Sequence, residues 1–221
     1  MIRKPVLRGS GMTSDRTRER MVQRIRQQGV VDERVLNTMR NVPRHIFVDE
    51  ALSSRAYDDD ALPIGFSQTI SQPLTVARMT SALLRTGVPE KILEVGTGCG
   101  YQAAVFSTLV KQVYSVERIG ALMKLARSHF MKLGIRNVRL KHGDGYSGWE
   151  DYAPYDAIIV TAAASEVPRA LLQQLKLGGQ LLMPVGGDEK QALQLVTRTA
   201  EGSVTELLDE VKFVPLKAGN L

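Results

Sequence analysis

Short apolar runs alternate with stretches of helical period from residue 91 to the end of the chain. Seven runs are predicted strands: Lys91–Val95, Gln112–Glu117, Asn137–His142, Tyr155–Thr161, Gln180–Val185, Ala192–Thr199 and Val204–Val214. The fourth is almost continuously apolar, which is typical of a strand buried on both faces. Strands that alternate with helices predict right-handed βαβ units. We therefore expect a doubly wound, mostly parallel α/β sheet of seven strands with an antiparallel C-terminal end.

Helices are predicted between several of these strands. The first strand is followed by a glycine-rich turn and a helix to about Leu109, and the second by a helix over Gly120–Leu133. A third helix is predicted over Val167–Leu175. We expect Gly178 and Gly179 to end it, because glycine readily adopts the left-handed conformation that often follows a helix.

The N-terminal part has the pattern of a helical cap. One helix is predicted to begin after Thr13–Asp15 and to end near Gly29, and a second runs from Asp32 to about Arg40. Apolar residues share one face of each helix: Met21, Val22 and Ile25 in the first, and Val35, Leu36 and Met39 in the second. We expect a flexible tail over residues 1–14 and a single domain over residues 15–221. Residues 15–80 would form the cap and a polar loop, and residues 81–221 the α/β core.

Composition agrees with an ordinary globular protein. The chain has 221 residues, of which 43% are hydrophobic and 24% charged, which excludes a mainly disordered or collagen-like chain. No apolar run approaches the ~20 residues of a membrane-spanning helix, and the first residues lack the apolar region of a secretory signal. A single cysteine, Cys99, cannot form an internal disulfide, which suits a reducing compartment. We therefore expect a cytoplasmic protein with no membrane partner.

The net charge of +6 originates in the N-terminal fifth of the chain. Residues 1–44 contain 11 Lys and Arg against 4 Asp and Glu, whereas residues 45–221 contain 18 against 19. A basic segment can bind nucleic acid. Its charges interleave with the apolar stripe of the first predicted helix, as on an ordinary solvated amphipathic helix, and we expect no nucleic-acid partner.

Between the first predicted strand and its helix lies the glycine loop Leu93-Glu94-Val95-Gly96-Thr97-Gly98-Cys99-Gly100. Glycines in such a loop let the backbone turn tightly and approach a ligand, and the following helix N-terminus attracts an anion. The spacing G-x-G-x-G differs from the G-x-G-x-x-G of dinucleotide sites, and no lysine of a phosphate-binding P-loop is present. The spacing therefore argues against a dinucleotide site and excludes a P-loop; a tight crossover without a ligand would also use these glycines.

Acidic residues end the next two predicted strands. Glu117 ends the second strand, where a carboxylate can accept hydrogen bonds from both hydroxyls of a ribose. Asp144 and Gly145 follow the third strand, where Asp144 can accept from an adenine amino group and Gly145 permits close approach. Without any ligand, Glu117 could be an ordinary surface acid at a strand end, and Asp144-Gly145 could be an ordinary turn.

Together, the glycine loop with Glu94, Glu117 and the Asp144-Gly145 pair resemble the class I S-adenosylmethionine-dependent methyltransferases. Three further segments resemble the protein-L-isoaspartate O-methyltransferase family: Pro63–Pro73, Pro154–Ala163 and Phe213–Leu216. The resemblance covers about residues 15–217. The first of these segments is the specific part, since many methyltransferases share the glycine motif.

The resemblance implies a Rossmann-like methyltransferase fold and the repair of damaged proteins and peptides. In that activity, a methyl group passes from S-adenosyl-L-methionine to the free carboxyl of L-isoaspartyl residues, leaving S-adenosyl-L-homocysteine. By resemblance, Ser71 is catalytic, and Thr69, Ser71 and Val214 bind the substrate. The expected cofactor-binding residues are Ile70, Glu94, Gly96, Thr97, Gly98, Gly100, Glu117, Asp144 and Gly145.

The composition of the polar loop suits that chemistry. A carboxyl of this type has an ordinary pKa near 4, is ionised at neutral pH and needs no general base. Thr69 and Ser71 offer hydroxyl donors, and no His, Lys or acid lies between Ile64 and Pro73. His45, His129 and His142 are scattered without ligand spacing; we expect no metal.

Other functions remain open on the sequence alone. A class I methyltransferase for a different carboxylate would carry the same cofactor motifs. A nicotinamide-dependent dehydrogenase would share the glycine loop and the strand-end acid, although its third glycine comes one residue later. Nucleic-acid amino-methyltransferases often have Asn/Asp-Pro-Pro-aromatic after the fourth strand, where this chain has Thr161-Ala162-Ala163-Ala164. A non-catalytic binding module on the same scaffold would not need both the glycine loop and the loop that contains Ser71.

Overall fold

A seven-stranded sheet forms the centre of the structure, a computed structural model that describes residues 9–221. Its strands are β3 (Lys91–Val95), β4 (Gln112–Glu117), β5 (Val138–His142), β6 (Tyr155–Val160), β7 (Leu175–Gly186), β8 (Gln191–Thr199) and β9 (Gly202–Val211). Their spatial order is β5-β4-β3-β6-β7-β8-β9. The first five pair in parallel, and β8 and β9 are antiparallel, so the predicted sheet is confirmed. The chain order reverses between β3 and β6. Proteins with α/β sheets bind ligands in the crevice that such a reversal creates.

The central strand β6 shows why an unbroken apolar run was needed. Its alternate residues belong to two different hydrophobic clusters: Ala157 and Ile159 face one side of the sheet, and Ile158 and Val160 face the other. The first cluster also contains the apolar faces of the N-terminal helices. These helices therefore cover one face of the sheet, as the cap predicts.

Among the described residues the structure has six α-helices. They are α1 (Asp15–Gln27), α2 (Glu33–Asn41), α3 (Pro73–Leu83), α4 (Tyr101–Ser107), α5 (Gly120–Leu133) and α6 (Arg169–Gln173). The Ser14 hydroxyl caps α1 by accepting from Thr17 N, and Gly29 follows the helix with φ +96°. The predicted apolar stripes of α1 and α2 are buried. The two cap helices are thus confirmed within one or two residues.

The segment around Gly178 and Gly179 differs from the prediction. Helix α6 already ends at Gln173, and β7 begins at Leu175, before the glycines. Tyr155 and Ala157 of β6 pair with Leu175 and Gln180 of β7, so a step of two residues on β6 matches a step of five on β7, and the glycines lie in a bulge inside a strand. Gly178 has φ +76°, the left-handed conformation that made it resemble a helix stop. The prediction that this pair ends a helix is wrong.

A hairpin and a helix occupy the polar loop before β3. Strands β1 (Leu62–Gly65) and β2 (Gln68–Ile70) pair antiparallel, and Phe66 and Ser67 at the tip have positive φ angles of 54° and 55°. Helix α3 follows directly, and the Asp59 carboxylate accepts from Leu74 N at 3.0 Å in its first turn. The hairpin and the helix together hold Thr69 and Ser71 at the carboxyl edge of the sheet.

The C-terminal segment returns across the same edge. The last predicted strand ends at Val211 rather than Val214, and the chain then crosses the ends of the parallel strands. Leu216 N donates to Ala163 O and Leu221 N donates to Arg118 O, both at 2.7 Å. Residues 213–221 therefore cover part of the carboxyl edge of the sheet.

Only part of the expected N-terminal tail is described. Residues 1–8 lie outside the described residues, and Gly11–Thr13 form a single 3₁₀ turn before α1. The division at residue 80 stays a prediction. Within residues 9–221, every helix is too short or too polar to cross a membrane.

Candidate active site

A cavity that opens to solvent lies at the carboxyl ends of β3, β4 and β6. The lining includes Gly96 and Gly98 of the glycine loop, Glu117 at the end of β4, and Gly145 after β5. It lies where the chain order of the sheet reverses, the usual place for a ligand site in an α/β protein. Four of the nine sequence-predicted cofactor residues thus converge on this cavity from three separate strand ends.

The glycine loop requires glycine for conformation and for space. Gly96, Gly98 and Gly100 have φ angles of +96°, +55° and +91°. A Cβ on Gly96 would lie 2.4 Å from the Thr161 hydroxyl, and one on Gly100 would lie 2.8 Å from the Phe130 ring. Gly100 therefore serves the close packing of α5 on the loop, whereas Gly96 and Gly98 line the cavity.

The Glu117 carboxylate holds the cavity wall together. It is 5% exposed, and its Oε2 accepts from Gly98 N at 2.8 Å while its Oε1 accepts from Ile119 N at 2.9 Å. One side chain thus fixes the glycine loop to the start of α5. A carboxylate has about four acceptor positions, so both oxygens can accept further bonds from a ligand in the cavity.

Glu94 lies beneath the glycine loop rather than in the cavity. It is fully buried, and Ser115 Oγ donates to its Oε2, while the Ser115 and Thr97 hydroxyls are 2.5 Å apart. Burial raises the pKa of Glu94 to about 8; the Ser115 hydrogen bond opposes the shift and the nearby Glu117 carboxylate adds to it. A direct role for Glu94 in cofactor binding stays a prediction, since the geometry connects it to the loop through two hydroxyls.

The raised pKa of Glu94 predicts a pH-dependent stability. Between its usual pKa of 4.5 and about 8, the folded protein binds more protons at this site than the unfolded chain, so stability falls as pH rises. Glu94→Gln removes this titration and keeps an oxygen for Ser115. Relative to the parent protein, the variant should therefore gain unfolding free energy from pH 5.5 to 8, by up to about 1 kcal/mol per pH unit.

Urea unfolding of both proteins at several pH values measures this difference. Glu90→Gln is the matched control, because Glu90 precedes the same strand and its side chain is 79% exposed. A constant difference between the Glu94→Gln and parent proteins over this range would contradict the buried, protonated carboxyl.

Asp144 precedes Gly145 of the cavity wall and is joined to the C-terminal segment. Its Oδ1 accepts from Tyr146 N at 2.8 Å and its Oδ2 accepts from Gly219 N at 2.7 Å. Gly145 lines the cavity, and a Cβ there would lie 2.6 Å from Val95 Cγ1. The C-terminal segment also supplies Leu216 to the cavity. Only Val214 of this segment was expected at the site, since contacts between residues so far apart leave no local pattern.

A second opening adjoins the cavity, an open groove lined by Ser71, Thr69 and Val214. The predicted substrate residues therefore lie together. Gln191 fixes the neighbouring backbone, because its Nε2 donates to Phe213 O at 3.0 Å and its Oε1 accepts from Phe213 N at 2.7 Å. A small recess between the groove and the glycine loop is lined by two more of the expected residues, Ile70 and Thr97, whereas Glu94, Gly100 and Asp144 line none of the three openings.

Thr69, Thr161 and Val214 line both the cavity and the groove. None of the three has a side chain that titrates near neutral pH. Thr161 was not among the sequence-predicted site residues; its signal is a polar residue directly after the apolar run of β6. Its hydroxyl donates to Gly96 O at 2.7 Å, so it ties the glycine loop to the end of β6. Thr69, Thr161 and Val214 thus form the junction of the cavity and the groove. The hydroxyl groups at this junction can orient a reactant by hydrogen bonds, which suits a nucleophile that is already ionised.

Metal-ligating side chains do not gather in the described part of the chain. Between residues 9 and 221, no group of three or more His, Cys, Asp and Glu side chains has the arrangement of a metal site. Cys99 is buried in the glycine loop, and burial raises the pKa of its thiol to about 11. It is therefore a packing residue rather than a thiolate nucleophile at neutral pH.

Comparison with known proteins gives a consistent family. The family profile described as protein-L-isoaspartate(D-aspartate) O-methyltransferase matches residues 16–220. A protein-L-isoaspartate O-methyltransferase of Halorhodospira halophila is 56% identical over 213 residues, which covers 96% of this chain and 97% of that protein. A solved protein-L-isoaspartate O-methyltransferase aligns with a TM-score of 0.82 and 31% identity, covering 92% of this chain and 67% of the other. A Plasmodium falciparum structure with the same enzyme name, in complex with S-adenosyl-L-homocysteine, has a TM-score of 0.80 and 26% identity, covering 90% of this chain and 98% of the other.

Proposed function

Because the chain belongs to the protein-L-isoaspartate(D-aspartate) O-methyltransferase family, we propose that it transfers a methyl group from S-adenosyl-L-methionine to the free carboxyl of L-isoaspartyl residues in damaged proteins and peptides. The observation that carries the proposal is the shared junction of cavity and groove. The loop from Leu62 to Pro73 borders both, and the residues at the junction offer hydroxyl groups but no base.

The cavity fits the cofactor by the chemistry of its lining. Glu117 offers carboxylate oxygens where ribose hydroxyls would donate, and Ile119, Leu122 and Leu216 form an apolar wall suited to a flat base. Gly96 and Gly98 let the backbone approach a ligand closely beside Glu117. When bound, S-adenosyl-L-methionine supplies an electrophilic methyl group. Glu94, Thr97 and Gly100 hold the loop in shape, and Asp144 holds the C-terminal segment beside the cavity.

The groove side of the site holds a carboxylate and leaves it unprotonated. An isoaspartyl carboxyl is ionised at neutral pH, so the protein needs only to desolvate and orient it. Ser71 and Thr69 provide hydroxyl donors. Ser71 also precedes the N-terminus of α3, whose partial positive charge favours an anion. A titrating base at the junction would have no proton to remove.

A direct assay tests the proposal: methyl transfer from labelled S-adenosyl-L-methionine to paired peptides that differ only in an isoaspartyl or an aspartyl residue. We expect transfer to the isoaspartyl peptide and little to the aspartyl one. Equal labelling of both peptides would indicate a methyltransferase for another carboxylate. Absence of transfer together with reduction of a nicotinamide cofactor would favour the dehydrogenase.

A further inference from the structure

The substrate groove continues beyond the junction along helix α3. Ser71 and Thr69 stand at its reacting end, and Arg78 projects into it from the second turn of α3. Asp209 near the end of β9 and Lys212 just after the strand line the other side. A peptide with its isoaspartyl residue at Ser71 therefore has to pass charged side chains on both walls.

Arg78 and Asp209 form a loose ion pair across the groove. Arg78 Nη1 and Asp209 Oδ2 are 3.6 Å apart, and the two side chains are 42% and 44% exposed. Arg78 Nη2 also donates to Gln28 O at 3.4 Å. Among residues 9–221 these are the contacts of the Arg78 guanidinium, which has five N–H donors. The group keeps donors free for a ligand in the groove.

A neighbouring pair of the same kind is tight and lies outside the groove. Arg85, just beyond α3, contacts Glu206 of β9 through two hydrogen bonds of 3.0 and 2.6 Å. A bulge in β9 explains why both acids face the helix. The step from Ala192 to Gln194 in β8 matches a step of three residues in β9, between Leu207 and Glu210, which shifts the alternation by one residue. The Arg85–Glu206 pair already joins the helix to the strand, so the looser Arg78–Asp209 pair is available for exchange.

The charged side chains that line the groove balance in number, but they differ in how tightly they are paired. Arg78 and Lys212 are cationic, and Asp209 and Glu210 are anionic. The Glu210 carboxylate is bound by Lys190 at 2.7 Å, whereas Lys212 has no ion pair among the described residues. Arg78 and Lys212 are therefore the two lining charges that a ligand carboxylate can contact without displacing a short ion pair.

The position of Arg78 along the helix defines which substrate residue it meets. An α-helix rises about 1.5 Å per residue, so Arg78 lies roughly 10 Å along the axis from Ser71. An extended peptide advances about 3.3 Å per residue. A side chain about three residues from the isoaspartyl residue would therefore reach Arg78.

We propose that Arg78 is a specificity-determining residue that favours isoaspartyl substrates with an acidic side chain about three residues from the damaged site. The carboxylate of this acidic side chain accepts hydrogen bonds from the Arg78 guanidinium, in place of the loose contact between Arg78 and Asp209. Since an exposed ion pair contributes modestly, we expect a preference of about twofold to fivefold in kcat/KM for Glu over Gln at that position. This inference rests on the proposed function.

The test measures kcat/KM of the full-length protein with isoaspartyl peptides that are neutral apart from one Glu or Gln, placed in turn at each of four positions on either side. The parent protein should show a Glu/Gln ratio above one at a single position near the third, expressed in KM and reduced by high salt. Arg78→Gln should bring the ratio to about one. Asp209→Asn, which removes the competing carboxylate, should raise it. Arg85→Gln is the matched control and should leave the ratio unchanged.

Each outcome decides between the possibilities. The pattern above supports the proposal, and the opposite effects of Arg78→Gln and Asp209→Asn separate it from a general loss of folding. A ratio near one throughout in the parent protein, a ratio kept in Arg78→Gln, or an equal loss in Arg85→Gln would overturn it. Failure to methylate any isoaspartyl peptide, neutral ones included, would instead refute the proposed function.

Discussion

Glu117→Ala should weaken binding of S-adenosyl-L-homocysteine about tenfold to 150-fold in a calorimetric titration. This range corresponds to roughly 1.5–3 kcal/mol, the usual contribution of hydrogen bonds to a charged group. Two effects act together. The variant loses the carboxylate that we propose accepts the ribose hydroxyls, and it leaves Gly98 N and Ile119 N without their acceptor, so the glycine loop loses its fixed position.

A conservative variant separates these two effects. Glu117→Gln keeps one oxygen for either Gly98 N or Ile119 N, but its amide group would face the other donor, so we expect an intermediate affinity. Glu201→Ala, which removes an exposed acid in the turn before β9, is the control. Unchanged affinity in a folded Glu117→Ala protein would show that this carboxylate does not hold the cofactor.

The strands and the glycine loop were predictable because their signals are local. The apolar run of β6 is needed since its alternate residues enter both hydrophobic clusters. The glycine loop and Glu117 stand at strand ends, and parallel strands bring their carboxyl ends to one edge. Knowing the strand boundaries was therefore enough to place Gly96, Gly98, Glu117 and Gly145 around one cavity.

The missed features depend on contacts between distant parts of the chain. Gly178 has the same left-handed backbone in a bulge as in a helix stop, and only the pairing of β7 with β6 distinguishes the two. Asp144 meets Gly219, which lies 75 residues further along the chain. The role of Glu94 depends on burial under the loop, which no spacing in the sequence reveals. Register, burial and long-range contacts are tertiary properties, so local patterns did not contain them.

The position of Ser71 predicts how it acts. It lines both the groove and the recess beside Thr97, and its hydroxyl has no hydrogen-bond partner among residues 9–221. A free hydroxyl at the N-terminus of α3 can donate to a carboxylate oxygen, which the substrate already presents in ionised form. A covalent bond to serine would add a step without lowering a barrier. Ser71 should therefore orient the substrate rather than attack it.

Ser71→Ala should lower kcat/KM for an isoaspartyl peptide by about one to two orders of magnitude, because an orienting hydrogen bond contributes roughly 1–3 kcal/mol. Affinity for S-adenosyl-L-homocysteine should change little. Thr69→Ala should have a smaller effect, since the Ser71 hydroxyl remains, and Ser81→Ala, a half-buried serine of α3 away from the groove, should have none. Full activity of Ser71→Ala would remove Ser71 from the reaction. A covalent adduct trapped on Ser71 would instead make it a nucleophile, which a preionised carboxylate does not require.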